Sequence, residues 1–169
     1  MKKEVQKLQR VIHEFAPVFD ERSRVLMLGT MPSPKSRENG FYYGHPRNRF
    51  WPVLAEVCGS PCPGTREEKV KFALDHRIAV WDVLAGCDIC GADDSSIQNP
   101  VPNDIKAILD QADIQAVFTT GTKAYALYQK YCRQKTGMEA FCLPSTSPAN
   151  CRVSYEDLVK AYSRILEYL

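Results

Sequence analysis

The sequence predicts an α/β fold in which helices cover both faces of a parallel sheet. Strand-like apolar segments alternate along the chain with segments of helical spacing, an order typical of parallel sheets. Hydrophobic residues make up 44% and charged residues 25% of the 169 residues, as in folded globular proteins. The length suits one domain, residues 1–169, which we expect to form three layers, α/β/α, around a mainly parallel sheet of four strands.

Four segments are predicted as the strands of this sheet. Residues 24–29 form an apolar run that ends at a glycine, and such a run indicates a strand buried on both faces. The fourth strand ends in a segment rich in proline and serine, which are residues that break strands. In chain order, the predicted strands are residues 24–29, 78–84, 115–120 and 139–143.

The helices are predicted from apolar spacing and from their start signals. Residues 3–15 carry apolar side chains at helical spacing, which indicates a helix with one buried face. Thr65 and Glu68 form a capping box, in which the hydroxyl and the carboxylate bond to free amides of the first turn. Asn103 and Ser154 are expected to cap two further helices. The predicted helices are residues 3–15, 49–57, 65–77, 104–112, 124–134 and a last one after Ser154.

One long segment, residues 86–102, has neither a helical nor a strand period. It holds several polar residues, among them Asp93, Asp94 and Asn99, together with two prolines. We therefore predict a long loop, and unstructured loops of this length are usually functional.

Charge and hydropathy exclude a membrane span. The formal net charge is +2, the mean hydropathy is −0.32, and no long apolar run occurs. The first residues lack the apolar stretch of a secretion signal, and the seven cysteines are an odd number. We expect reduced thiols and a cytoplasmic protein.

The cysteines and histidines do not form a recognisable metal motif. Cys87 and Cys90 form a C-x-x-C pair, which is either a metal, iron–sulfur or redox site or two ordinary thiols. Ordinary thiols are favoured because no second pair occurs. His13, His45 and His76 are scattered, and His13 and His76 are expected on helix surfaces. We expect no metal and no cofactor.

The ends of the four predicted strands are the expected ligand site. In open parallel sheets, ligands bind beyond the carboxyl ends of the strands. Each end here is rich in Gly, Ser, Thr or Pro, residues that present backbone amides and hydroxyls to a nucleobase or to phosphate oxygens. The chain lacks the G-x-G-x-x-G of dinucleotide-binding proteins, a Walker lysine and a G-x-S-x-G elbow.

Two motifs resemble those of the uracil-DNA glycosylase superfamily. The first is Gly29-Thr30-Met31-Pro32-Ser33, followed by Tyr43 and by His45-Pro46-Arg47-Asn48-Arg49-Phe50-Trp51. The second is Leu143-Pro144-Ser145-Thr146-Ser147-Pro148-Ala149-Asn150, after the last predicted strand. The chain is most similar to the branch of hypoxanthine (deoxyinosine) DNA glycosylases, which are relatives of the mismatch-specific uracil and thymine enzymes. The resemblance extends over nearly the whole chain.

The resemblance implies a monofunctional DNA glycosylase of base excision repair. Such an enzyme flips a deaminated base out of DNA and hydrolyses its N-glycosidic bond, with no lysine nucleophile and no cofactor; we expect a monomer. Tyr43 would stack on the extruded base, and Asn48 would be the catalytic amide, holding the attacking water or a base edge. The implied base pocket consists of Gly29, Thr30, Met31, Pro32, Ser33, Tyr43 and Asp82. The implied DNA contacts are Arg47, Lys123, Ser145, Thr146, Ser147, Pro148 and Arg152.

Two positions depart from the family pattern. Met31 stands where mismatch enzymes have Asn and other branches have Asp, and its side chain cannot activate water. Leu143 stands where the classical enzymes have a histidine that donates to the leaving base. Catalysis then depends on Asn48 or on electrostatic stabilisation of the departing base and the oxocarbenium-like sugar. Both departures favour hypoxanthine over uracil as the substrate.

Several alternatives stay open. The same fold could be a module that binds a nucleobase or nucleotide without chemistry. Asp82 either reads the base or is a structural carboxylate that caps the loop at 86–102. Arg47 and Arg49 are either surface residues or phosphate ligands. Phe50 and Trp51 are expected to pack a helix on the sheet.

Overall fold

The computed structural model describes residues 7–169, and a four-stranded parallel sheet lies at its centre. All five residues of its second strand are buried, because helices and strands cover both faces. The four strands predicted from the sequence are confirmed, with ends that differ by one or two residues. In spatial order, they are β3 (Ile78–Asp82), β2 (Val25–Gly29), β6 (Ala116–Thr120) and β7 (Ala140–Leu143).

Alternate residues of β2 point to two different apolar cores. Val25 and Met27 join the core on one face, whereas Leu26 and Leu28 join the core on the other. The predicted three-layer α/β/α architecture is therefore confirmed. The first core packs against α2 (Phe50–Cys58), α3 (Arg66–Asp75), α7 (Tyr155–Tyr162) and the 3₁₀ segment Ser163–Tyr168, and the second against α4 (Ile105–Leu109) and α5 (Thr122–Tyr131); α1 (Pro34–Asn39) and α6 (Arg133–Thr136) are shorter.

The segment predicted as a long loop, residues 86–102, is a β-hairpin, so that prediction was wrong. The chain leaves the central sheet after Asp82 and forms β4 (Leu84–Cys90) and then the antiparallel β5 (Asp93–Pro102). β5 is an edge strand with mostly exposed residues and irregular register. An edge strand with one solvent-exposed face and two prolines shows no alternation of apolar residues, which is why the sequence pattern did not indicate a strand here.

The N-terminal helix predicted over residues 3–15 was also wrong within the described residues. Residues 1–6 lie outside them, and β1 (Gln9–Ile12) is a strand that pairs antiparallel with β4. Val11 faces the core, whereas Ile12 is 66% exposed. Apolar residues here fit a helical spacing, but pairing with β4 decides the conformation. A second sheet, in the order β1-β4-β5, therefore packs beside the central one.

The predicted helix starts were partly right. The Thr65 hydroxyl accepts from the amide of Glu68 at 3.1 Å, and Ser154 caps α7 in the same way. Asn103 is not a cap: its Nδ2 donates to the carbonyl oxygens of Asp82 (2.9 Å) and Leu84 (3.1 Å). Asn103 thus joins the two sheets at the point where the chain passes from β3 to β4.

Among residues 7–169, no helix is both long and apolar enough to cross a membrane.

Candidate active site

A cavity of about 330 Å³ opens at the carboxyl ends of the central strands. Its volume lies at the lower end of the range of ligand-binding pockets, ~300–1,000 Å³. The structure brings most of the predicted site residues together in its walls, whereas Arg47, Lys123 and Arg152 do not line it. The predicted residues that line it are Gly29, Thr30, Met31, Pro32, Ser33, Tyr43, Asn48, Asp82, Ser145, Thr146, Ser147 and Pro148.

The floor of the cavity is the last residue of β2, Gly29. A Cβ added there would stand 2.5 Å from Asp82 Oδ1, 3.0 Å from the Tyr43 hydroxyl and 3.5 Å from Thr120 Oγ1. Three polar side chains thus converge on a position that has room only for a hydrogen atom. Tyr43 and Thr120 hydrogen-bond to each other at 2.9 Å, which orients the tyrosine hydroxyl at the floor.

Asp82 has a buried partner, His13, whose position in the fold was expected to be different. His13 was expected on a helix surface, but it follows β1, and its side chain is 2% exposed. His13 Nε2 lies 2.8 Å from Asp82 Oδ2, and the Asp82 side chain is 5% exposed. The carboxylate therefore contacts His13 rather than capping the segment 86–102, which corrects that alternative. No signal in the sequence connects two residues that are 69 positions apart.

Tyr43 is held in one orientation by its surroundings. Its ring stacks on Phe50, with centroids 3.7 Å apart and planes inclined by 14°. Its backbone has a φ of 51°, in the left-handed region that residues other than glycine rarely adopt. Burial, and next the nearby Asp82 charge, raise the pKa of Tyr43 well above its ordinary value, so the hydroxyl keeps its proton at neutral pH.

Phe50 and Trp51 have the packing role that was expected of them. Both are buried in the core that joins α2 to the sheet, and Trp51 Nε1 donates to the carbonyl oxygen of Tyr42 at 3.0 Å. They fix the start of α2, and with it the loop that carries Asn48.

Asn48 lies half-buried in the cavity wall, just before α2. Its Oδ1 accepts from the amide of Phe50 at 2.9 Å, and this bond orients the side-chain amide. Oδ1 keeps a second lone pair. Its Nδ2 has no acceptor within residues 7–169, so both ends of the amide can bond to a ligand.

Residues 144–153, after β7, form a loop held by its own side chains. Ser145 Oγ accepts from the amide of Ser147 at 3.1 Å, and Ser147 Oγ accepts from the amide of Ala149 at 3.2 Å. Thr146 is 1% exposed. Since both serine hydroxyls act only as acceptors here, each can still donate to a phosphate oxygen.

Arg49 fixes this loop from the side of α2. Its Nη1 donates to the carbonyl oxygen of Val153 at 2.6 Å, and Nη2 donates to that of Asn150 at 3.0 Å. The backbone amide of Arg49 donates to Thr146 O at 3.2 Å. The Arg49 guanidinium is thus bound to this loop and is not free at the surface, which was one of its two expected roles. It ties the loop after the last strand to the first motif.

Asp94, from the tip of the β4–β5 hairpin, contributes a second carboxylate to the cavity. Its Oδ2 accepts from Thr30 Oγ1 at 3.4 Å. Asp94 is an exposed residue overall, but partial desolvation of its carboxyl group raises the pKa of Asp94, which the Thr30 hydrogen bond and next the Lys123 charge partly oppose. Asp94 was not among the predicted site residues, because only the hairpin brings it back over the first motif.

The charged residues predicted to contact DNA lie outside the cavity. Arg47 and Arg152 are exposed, and Lys123 is half-buried in the first turn of α5. The C-x-x-C pair does not form a metal site in the described part of the chain. Cys87 is buried in the second core, where burial raises the pKa of its thiol, and residues 7–169 contain no cluster of three metal-ligating side chains.

The chain matches the family model described as the uracil DNA glycosylase superfamily over residues 16–169. It is 34% identical to a Methanosarcina acetivorans protein named hypoxanthine DNA glycosylase, over 142 residues that cover 83% of this chain and 89% of that one. A Methanosarcina barkeri protein of the same name is 32% identical over 140 residues, which cover 82% of this chain and 87% of the relative.

A solved structure agrees with these relatives. The solution NMR structure of a Methanosarcina acetivorans protein, provisionally described as a uracil DNA glycosylase, superposes with a TM-score of 0.78. The two chains are 28% identical, and the superposition covers 94% of this chain and 99% of the other.

Proposed function

The chain belongs to the uracil DNA glycosylase superfamily, and from this premise we propose that it is a DNA glycosylase that removes hypoxanthine from DNA. In the reaction, the N-glycosidic bond breaks, and the base leaves with the electron pair of that bond. The sugar becomes oxocarbenium-like, and water adds to C1′ and loses a proton. The departing base takes up that proton, so the products are the neutral free base and an abasic site in DNA.

The observation that carries the proposal is the single cavity that joins both family motifs. Its floor offers the Asp82 carboxylate and the Tyr43 hydroxyl, and its walls offer backbone and side-chain amides. A base flipped out of the duplex needs such a polar floor and an aromatic wall. Stacking of a base on Tyr43 contributes ~1–3 kcal/mol, and the buried Phe50 behind it keeps the ring in place.

Asn48 is the residue that we assign to the attacking water. The Phe50 amide already occupies one lone pair of Oδ1, and the second can accept a hydrogen bond from water. Met31, in the position where relatives carry a polar side chain, cannot take this role. Holding the water in place should accelerate hydrolysis about 10²-fold or more, because free water reaches the reactive orientation only by chance.

Asp94 supplies the negative charge that the first motif lacks. A carboxylate near the cavity opening stabilises the positive charge that develops on the sugar as the base leaves. The Thr30 hydroxyl, one residue before Met31, holds the Asp94 carboxylate at that side of the cavity. The hairpin thus carries the carboxylate that other branches of the superfamily carry at the third position of the first motif.

The loop at residues 144–153 is our proposed phosphate-binding segment. Ser145 and Ser147 keep donor hydrogens, and Arg49 holds the loop rigid. Arg47, Lys123 and Arg152 are proposed to contact the DNA backbone around the cavity. Such contacts position the duplex without reading its sequence.

The remaining parts of the proposal concern the protein as a whole. We propose that residues 1–169 act as a single glycosylase domain, as a monomer, and inside the cell in base excision repair. Uracil is a weaker second substrate on this proposal, because its smaller ring fills less of the cavity. A cofactor is not required for the hydrolysis described above.

The test is base excision from duplex oligonucleotides that carry one hypoxanthine, uracil or xanthine. Free base is measured by chromatography, and abasic sites by strand cleavage in alkali. We expect the wild type to release hypoxanthine fastest and Asn48→Ala to be about 10²-fold slower in single-turnover rate at similar DNA affinity. Gln111→Ala, which removes an exposed side-chain amide that donates, among residues 7–169, only to the carbonyl oxygen of Ala107 in the preceding helix, is the matched control and should equal the wild type.

Two outcomes would redirect the proposal. DNA binding by the wild type without release of any of the three bases would favour the alternative, a module that binds a nucleobase without chemistry. Equal rates for the wild type and Asn48→Ala would remove Asn48 from catalysis while leaving the glycosylase function intact.

A further inference from the structure

His13, which forms a buried polar pair with Asp82 under the cavity, takes no part in the steps described above. His13 lies upstream of residue 16, where the match to the family begins. Its backbone amide donates to the carbonyl oxygen of Ala85 at 2.8 Å, which attaches it to β4. Its ring packs against Phe15 and Tyr42, with centroids 5.8 and 5.7 Å away. The ring is therefore held on several sides, with Nε2 directed at Asp82 Oδ2.

The two carboxylate oxygens of Asp82 have different surroundings. Oδ2 bonds to His13 at 2.8 Å, whereas no donor within residues 7–169 bonds to Oδ1. Oδ1 lies at the cavity floor beside Gly29, and Asp82 lines the cavity. Oδ1 is therefore an acceptor that faces whatever fills the cavity.

The first motif, in contrast, supplies hydrogen-bond donors that have no acceptor within residues 7–169. The backbone amides of Met31 and Ser33 bond to no acceptor among the described residues, and both residues line the cavity. The cavity thus offers a carboxylate acceptor at its floor and backbone donors in its wall. This pattern is complementary to a ring N–H that adjoins a carbonyl group.

We propose that His13, acting through Asp82, makes this cavity select a lactam edge over the edge of adenine, the base from which hypoxanthine arises, an inference that rests on the proposed function. Adenine presents a ring nitrogen lone pair and an amino group, whereas hypoxanthine presents a ring N–H and a carbonyl oxygen. Asp82 Oδ1 accepts from that N–H and repels the adenine lone pair. A site built for a hydrogen bond rejects the analogue that lacks it by up to about 10⁴–10⁵-fold.

His13 is a positioning residue in this scheme. By hydrogen-bonding to Oδ2 at 2.8 Å, it fixes the carboxylate with Oδ1 toward the cavity. Without that bond, the carboxylate can rotate, and Oδ1 is no longer held against the base edge. Asparagine at position 82 would discriminate less, because an amide can present either its oxygen or its NH₂ group.

The experiment is a double-mutant cycle on His13→Phe and Asp82→Asn. The readouts are single-turnover excision of hypoxanthine and the ratio of dissociation constants for duplexes that differ only in hypoxanthine or adenine. Because each variant is compared with the wild type on the same duplexes, differences in base-pairing cost cancel. We expect His13→Phe to slow excision about 10–100-fold and to narrow the binding ratio about 10-fold. In a protein that already carries Asp82→Asn, adding His13→Phe should change the excision rate and the binding ratio by less than about threefold.

A second variant and a melting curve separate positioning from a loss of folding. His13→Gln keeps a donor at a similar reach and should restore most of the binding ratio, whereas a purely structural histidine would lower stability and leave the ratio unchanged. An unchanged ratio in His13→Phe, with normal hypoxanthine excision by the wild type, would overturn the inference and leave the proposed function standing. A wild type that binds hypoxanthine and adenine duplexes equally and releases no base would overturn both.

Discussion

Replacing Gly29 by alanine tests the geometry of the cavity floor with one methyl group. The φ angle of Gly29 lies outside the left-handed region, so the substitution does not strain the backbone. The effect comes from space alone: the new Cβ would stand 2.5 Å from Asp82 Oδ1 and 3.0 Å from the Tyr43 hydroxyl.

The size of the effect follows from those distances. Ordinary contact with a Cβ begins at 3.4 Å, so Asp82 Oδ1 has to retreat by about 0.9 Å and the Tyr43 hydroxyl by about 0.4 Å. Asp82 cannot move freely, because His13 holds its other oxygen at 2.8 Å. Overpacking of this kind costs about 1–3 kcal/mol of folding free energy. A misplacement near 1 Å at the base edge lowers kcat/KM about 10²-fold, equivalent to about 2.7 kcal/mol.

The assay is single-turnover excision of hypoxanthine, with the free energy of unfolding measured in parallel by denaturant titration. Gly64→Ala is the matched control, because a Cβ there meets only Glu68 Oε2 at 3.9 Å. The control should keep wild-type activity and gain up to ~1 kcal/mol of stability. Wild-type excision by a fully folded Gly29→Ala protein would refute the reasoning, since the floor would then not contact the base.

Three further predictions concern Arg49, Asp94 and the α3 cap Thr65. In Arg49→Lys, the single ammonium group cannot bond to the carbonyl oxygens of Asn150 and Val153 together. The variant should therefore have a free energy of unfolding lower by about 1–3 kcal/mol and should be cleaved faster by proteases within residues 144–153. Equal rates of cleavage in the variant and the wild type would contradict the role of Arg49 in holding this loop. Asp94→Asn should slow excision about 10²-fold. Because the pKa of Asp94 is raised, wild-type excision should slow as the pH falls through a range above the usual aspartate pKa, and the free energy of unfolding should increase over the same range. Asp94→Asn should not show this pH-dependent loss of excision. If the variant shows the same loss, Asp94 is not its source. Thr65→Ala removes the cap of α3 and should cost about 1 kcal/mol of stability without changing excision, as thermal melts and the same assay would show.

The elements that the sequence predicted correctly are those with a strong local signal. The run at 24–29 is apolar on both faces because the strand is covered on both faces, and its buried pattern in β2 agrees with that reading. The Thr65 cap depends on a hydroxyl and an amide three residues apart. The two motifs were identified from their residues, and the match to the superfamily over residues 16–169 confirms the predicted family.

The errors concern segments whose conformation depends on distant partners. β1 has apolar residues that fit a helical spacing, and only its ladder with β4 makes it a strand. β5 is an edge strand without an apolar period. The helix prediction put His13 on a surface, whereas the strand directs it into the protein, against Asp82.

The sequence by itself determined the layered α/β architecture, the family and the strand ends at which the site lies, because these depend on local pattern and on motifs that are contiguous in the chain. Only the tertiary structure decided which distant side chains join the cavity that the two motifs form. His13 reaches Asp82 from 69 positions away, Asp94 reaches Thr30 from 64, and Arg49 reaches Val153 from 104. Such contacts leave no periodicity in the sequence, since they arise from sheet pairing and burial rather than from neighbouring residues.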